Sequence, residues 1–287
     1  MKRKQKWIET GMRAVFFTTA CVSILAVALI CIFLFMNGIP GIQKIGLTNF
    51  LMGREWKPTD VPPLFGILPM IMGSIYVTAG AIIVGVPIGI FVAIYLSKYA
   101  KPRIYRIFKP AVELLAGIPS IIYGFFGMVV IVPLVRQLFG GNGSSILAAS
   151  VLLGLMILPT IIGIAESAMR AVPESYYEGA LALGASHERS VFFVVLPAAK
   201  SGILAAVVLG IGRAIGETMA VIMVAGNQAR MPTSLFRGVR TMTANIVIEM
   251  GYAADLHREA LIATGVVLFV FILIINLSFS ALKRKKA

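Results

Sequence analysis

Arg213 and Glu217 are charged residues placed where charge is costly. They lie four apart within 201–227, a run otherwise free of Asp, Glu, Lys and Arg. Four residues make about one helical turn, so both side chains share a face and come within reach of an ion pair. Arg213 falls 12 residues after Ser201, about 18 Å along a helix and near the middle of a hydrocarbon layer about 30 Å thick. An arginine at that depth costs about 2.5–3.5 kcal/mol on insertion scales, so it must face protein or water rather than lipid. Its planar fork of donors suits an oxyanion. Glu217 suits the hydroxyl of a protonated one, which would separate phosphate from sulfate. Equally, the pair can neutralise itself and pin its helix to its neighbours. Gly212, Gly216 and Ala220 form a small-residue stripe beside it, of the kind that lets another helix approach closely.

The rest of the chain must explain how such a pair comes to be buried. Of 287 residues, 59% are apolar and 13% charged, yet 26 Lys and Arg against 12 Asp and Glu leave a net charge of +14. A globular domain is about 45–50% apolar and about 25% charged. Disorder is excluded, and lipid is the expected solvent. Six apolar runs are long enough to cross a bilayer, at about 14–36, 71–97, 111–135, 146–169, 201–227 and 260–282. The reading is an all-α membrane protein of about six transmembrane helices.

Basic residues set the orientation. Lys2, Arg3, Lys4, Lys6 and Arg13 precede the first run. Lys98, Lys101, Arg103, Arg106 and Lys109 follow the second, and Lys283, Arg284, Lys285 and Lys286 follow the last. Both termini are therefore expected in the cytoplasm. Because spans bracket these clusters, anchoring on anionic lipid headgroups is favoured over nucleic-acid binding. The expected organisation is a basic N-terminus (1–13), a first span (14–36), an extracytoplasmic loop and lead-in (37–70), a core (71–282) and a basic tail (283–287). The core holds a cytoplasmic loop at 170–200 and an outer loop at 228–259.

Cofactor chemistry finds no foothold. Cys21 and Cys31 sit in the first apolar run, and His187 and His257 are far apart, so no metal cluster is expected. No Gly-Lys dipeptide occurs, so a phosphate-cradling P-loop is absent from the sequence and the chain is not expected to hydrolyse ATP. An intramembrane hydrolase lacks a nucleophile with a base, and a secondary transporter would be expected to show internal repeats with paired broken helices.

The loop at 170–200 reads Glu178-Gly179-Ala180, three residues, Gly184, nine residues, then Val194-Val195-Leu196-Pro197. This resembles the EAA signature of ABC-importer permeases, with Gly179 for the first Ala and Val194 for the Ile. The resemblance implies a type I ABC importer (MetI-like) permease fold. It also implies a coupling helix at Glu178, Gly179, Ala180, Gly184, Leu196 and Pro197 that docks on a separate ATP-binding subunit.

The stretch from Gly212 to Ala220 is similar to the fifth-span signature of phosphate permeases. The outer loop, with Ser234-Leu235-Phe236-Arg237, Arg240-Thr241-Met242-Thr243-Ala244-Asn245-Ile246 and Glu249-Met250-Gly251-Tyr252-Ala253, resembles the PstC type. Gly117-Ile118-Pro119-Ser120 resembles the same family, with a helix kinked or broken at Pro119. The resemblance implies inorganic phosphate as cargo, with Arg213, Glu217, Ser120, Arg237 and Arg240 as candidate pathway residues. It further implies a second permease of PstA type, an ATPase dimer of PstB type and a phosphate-binding protein of PstS type. A permease for another oxyanion is the alternative.

Overall fold

The computed structural model describes residues 2–284; Lys285 and Lys286 of the expected basic tail lie outside the described residues. Helix α1 (Lys2–Ile45) is longer than the expected span and absorbs 37–45, read from sequence as loop. Contact with the last helix, α14 (Asp255–Arg284), accounts for the extension. A Cβ at Gly38 would sit 2.6 Å from Val266 Cγ2 and one at Gly41 would sit 3.0 Å from the Glu259 backbone, so two glycines let the axes meet. Lys44 closes the contact on Glu259 at 2.6 Å.

Gly46, at φ 88°, turns the chain into α2 (Leu47–Met52) and a hairpin of β1 (Trp56–Lys57) and β2 (Leu64–Phe65). Phe50, Trp56, Phe65 and Ile67 are buried there in one cluster with Met242 and Leu261.

The centre of the bundle is the pair α3 (Leu68–Ile94) and α7 (Ile146–Arg170). Gly80 faces Ser150, Gly85 faces the Gly154 carbonyl and Gly89 faces Ile161; a Cβ at any of them would come within 2.8 Å of that neighbour. Small residues thus bring two long apolar helices into backbone proximity, where dispersion rather than hydrophobic transfer holds them. Ser145 starts α7 by accepting the Ala148 N–H at 3.2 Å. α3 ends in a π-helical turn, Tyr95–Tyr99.

The third crossing differs from the expected 111–135. Helix α4 (Pro102–Gly117) ends before Ile118, whose extended backbone and the following Pro119 break the run. The crossing resumes as α5 (Ser120–Phe126), a π-helical stretch at Gly127–Ile131, and α6 (Val132–Phe139). Proline cannot donate the backbone bond a continuous helix requires, so 111–117 belongs to the preceding element. The Tyr123 hydroxyl reaches back to the Leu115 carbonyl at 2.9 Å and caps α4 across the break.

After α7 come α8 (Glu174–Ala182), α9 (His187–Ser190), a π-helical turn at Val191–Val195 and α10 (Leu196–Ala198). The chain then bends by 69° into α11 (Lys200–Gly216). α12 (Met219–Val224) follows, and α13 (Met242–Glu249) lies in the connection to α14. Among the described residues, five helices are long and apolar enough to cross a membrane, and α11 with its bent lead-in makes a sixth.

Candidate anion site and docking loop

Sequence periodicity carries one helix through Arg213 and Glu217, but the structure ends α11 at Gly216. Glu217 has extended backbone angles, φ −69° and ψ 133°. Its Oε1 accepts the backbone N–H groups of Thr218 at 3.1 Å and Ala220 at 3.3 Å, so the carboxylate caps the start of α12. Arg213 turns instead to α7 and donates from Nη1 to the Thr160 hydroxyl at 3.2 Å. Among the described residues the two form no salt bridge, and self-neutralisation is not what the geometry displays.

The broken crossings meet. Gly124 lies against Ala220 and Met223, and Gly127 lies against Val224. These two contacts advance in step along both helices, so α5 and α12 run parallel. α5 opens a helical crossing that continues to Phe139, whereas α12 is a short helix that resumes the fifth crossing after the break at Glu217. The small-residue stripe divides: Ala220 is buried near α5, whereas a Cβ at Gly212 or Gly216 would meet nothing within 4 Å. Within this chain α11 packs through other glycines, Gly202 on Ala168 and Gly210 on Ile161, which leaves the face of Gly212 and Gly216 open.

Helix α13 closes this centre from one end. Met242, Thr243, Ala244 and Asn245 are buried, as expected for a segment that dips back among the helices. The Thr243 hydroxyl donates to the Glu217 carbonyl at 3.1 Å and the Met242 N–H to Ser74 Oγ at 3.0 Å.

Arg240 departs from its expected place in an anion path. Nη1 donates to Glu249 Oε1 at 2.5 Å and to Asn245 Oδ1 at 2.9 Å, and Nε to the Asn227 carbonyl at 3.0 Å. Glu249, 5% exposed, also takes the Trp56 indole N–H at 2.8 Å and bonds His257 Nε2 at 2.8 Å. A carboxylate so buried needs partners, and the arginine supplies the charge. Glu249 thus joins the hairpin and α14 to α13, and Arg240 ties that hub to the Asn227 carbonyl. Arg237 stays exposed, while its carbonyl receives the Ile146 N–H.

At the opposite end, Glu166 forms a comparable hub, also not foreseen from sequence. It is 1% exposed and pairs with Arg170, with Lys109 at 2.9 Å and with the Tyr105 hydroxyl at 3.2 Å. Burial works against the Lys109 charge, but the hydrogen bond and charge of Glu166 outweigh it and raise the lysine pKa. The hub fastens α4 to α7.

The loop at 170–200 is built from α8, α9, a π-helical turn and α10. α8 ends in a Schellman turn, with Gly184 N–H on the Leu181 carbonyl at 2.9 Å and Ala185 N–H on the Ala180 carbonyl at 3.1 Å. Gly184 sits at φ 84°, so backbone conformation explains the glycine; a Cβ would meet nothing. Ala180 is buried and Glu178 and Gly179 are exposed. Leu183 is 92% exposed, an apolar side chain between the motif positions that spacing alone did not single out. Leu196 is half-buried and Pro197 exposed where the chain turns towards α11.

A bundle of membrane-length helices with broken crossings at its centre and a helical loop displayed at one end is that of a multi-pass membrane permease. Residues 85–287 match the family model of binding-protein-dependent transport system inner membrane components, and the chain belongs to that family. It is 38% identical over 277 residues to the probable ABC transporter permease protein YqgH of Bacillus subtilis, covering 93% of this chain and 89% of that one. It is 36% identical over 282 residues to the phosphate transport system permease protein PstC of Mesorhizobium japonicum, covering 90% and 85%. A chain of the MetNI methionine ABC transporter in an inward-facing conformation superposes with a TM-score of 0.61 at 21% identity, over 77% of this chain and 97% of the other. The fold is that of a MetI-like type I ABC importer permease, in the plasma membrane of a prokaryote. Such a component works with separate ATP-binding and substrate-binding partners.

Proposed function

We propose that this chain is the PstC-type permease of an ATP-driven phosphate importer, forming the pathway with a second permease of PstA type. An ATPase dimer of PstB type supplies the energy, a PstS-type protein delivers phosphate from outside, and the chain itself catalyses no reaction. The observation that carries the reading is Arg213, unpaired with Glu217 and held by Thr160 on α7. A guanidinium with its planar fork of donors suits an oxyanion. Both capping bonds of Glu217 fall on Oε1, leaving Oε2 for a protonated phosphate hydroxyl. Ser120 adds a hydroxyl at the start of α5, and exposed Arg237 draws anion at the outer mouth. The name of the Mesorhizobium relative supports phosphate as cargo.

In this reading both termini and the loop at 170–200 are cytoplasmic. α8 is the coupling helix, with Glu178, Gly179, Ala180 and Gly184 offered to the ATPase and Leu196 and Pro197 leading back to α11.

The test is ATP-dependent phosphate uptake by vesicles containing all four kinds of subunit, with sulfate and molybdate as controls. An Arg213→Gln variant that assembles normally is expected to lose uptake. Uptake at the parent rate by that variant would overturn the proposal.

A further inference from the structure

Between the end of α3 and the loop carrying α8 lies a cleft of about 360 Å³, lined by Ser97, Lys98, Arg170, Glu174, Tyr177 and His187. Its walls are bonded to each other. Lys98 Nζ meets Glu174 Oε2 at 2.9 Å and stands 5.2 Å from the Tyr177 ring. The Tyr177 hydroxyl and His187 Nδ1 share a hydrogen bond at 2.7 Å, and the His187 ring meets the Tyr99 ring edge-on at 4.6 Å. Lys98 and Tyr99 belong to the π-helical turn that ends α3, and the Leu96 carbonyl of that turn accepts from Arg170 at 3.2 Å.

The loop therefore has two connections to the bundle. The covalent one reaches α11 only after a π-helical turn and a 69° bend. The other crosses directly from α8 and α9 to α3 through side chains. The side-chain route joins the turn that ends α3 without passing through the 69° bend, so force applied to α8 has a path to α3 that bypasses α11.

We propose that Tyr177, His187 and Tyr99, supported by the Lys98–Glu174 pair, form a bracket that passes movement of the coupling helix to α3, and with it to the α3–α7 pair. They are positioning residues. The proposal rests on the reading of 170–200 as the ATPase-coupling loop, and it assigns these residues a transmitting role inside the permease rather than a part in ATPase docking.

Tyr177→Phe keeps the ring and removes the hydroxyl. In the assembled complex it is expected to retain the ATPase subunits and their hydrolysis while the ATP consumed per phosphate imported rises about fivefold, the weight of one hydrogen bond. Lys98→Glu and Glu174→Lys should each raise that ratio, and the two together should restore it. An unchanged ratio in Tyr177→Phe, or loss of the ATPase subunits themselves, would overturn the proposal.

Hydrogen exchange gives a second reading independent of cargo. A non-hydrolysable ATP analogue should alter exchange at the amides of 96–100 in the parent complex and not in Tyr177→Phe; a preserved response overturns the bracket. Failure of the phosphate reading appears separately, as a parent complex that imports no phosphate.

Discussion

Arg213 and Thr160 meet where α11 crosses α7, the guanidinium donating to the hydroxyl at 3.2 Å. A hydrogen bond to a charged group is worth about 1.5–3 kcal/mol, and its loss frees the guanidinium to turn from the site. Thr160→Val is expected to raise KM for phosphate uptake about tenfold or more, while Thr160→Ser stays near the parent. Uptake kinetics in vesicles decide this; an unchanged KM for the valine variant would detach Thr160 from the site.

The hub at Glu249 makes a stability prediction. Glu249→Ala leaves Arg240 without its carboxylate partner in a largely buried position, a change that costs about 3–5 kcal/mol in comparable cases. Trp56→Phe removes one hydrogen bond at about 1 kcal/mol. Thermal unfolding of the detergent-solubilised permease should rank parent, Trp56→Phe and Glu249→Ala in falling order.

At Gly184 the conformation, not the room, is restrictive. With φ at 84° and open space around the position, Gly184→Ala should weaken ATPase docking through about 1 kcal/mol of backbone strain. Gly184→Asn should be milder, because asparagine tolerates the left-handed region. Co-purification of the ATPase subunit gives the order, and equal retention by Ala and Asn would contradict the conformational argument.

Gly124 reverses that logic. A Cβ there would come within 2.9 Å of the Ala220 backbone, so Gly124→Val must separate α5 from α12. The expected cost is about 1–3 kcal/mol of stability, with loss of uptake because the contact between the third and fifth crossings is broken. Uptake equal to the parent at normal expression would show that this contact is dispensable.

These particulars mark how far residues can be read without coordinates. Lipid requires about 20 apolar residues per crossing, so α7 and α14 are legible from run length. Their neighbours are less so where tertiary contact decides: Gly38 and Gly41 extend α1 along α14. The break at Pro119 is written in the backbone chemistry of proline. The break at Glu217 is not, because what stabilises it is the residue's own carboxylate on the amides of the next helix. Neither is the Glu249 hub, whose indole partner is 193 residues away in sequence. Type and spacing single out Arg240, but only the fold reveals that its charge is answered by Glu249.

The anchoring of Arg213 on Thr160 bears on energy supply. A guanidinium held in place compensates an anion without travelling with it, so the anion crosses carrying its own charge. Inward movement of one negative charge against an interior-negative potential of 100 mV costs about 2.3 kcal/mol. A permease built this way does electrical work on every cycle. At constant ATP, uptake should therefore quicken when the potential is dissipated, the opposite of an importer that the potential drives.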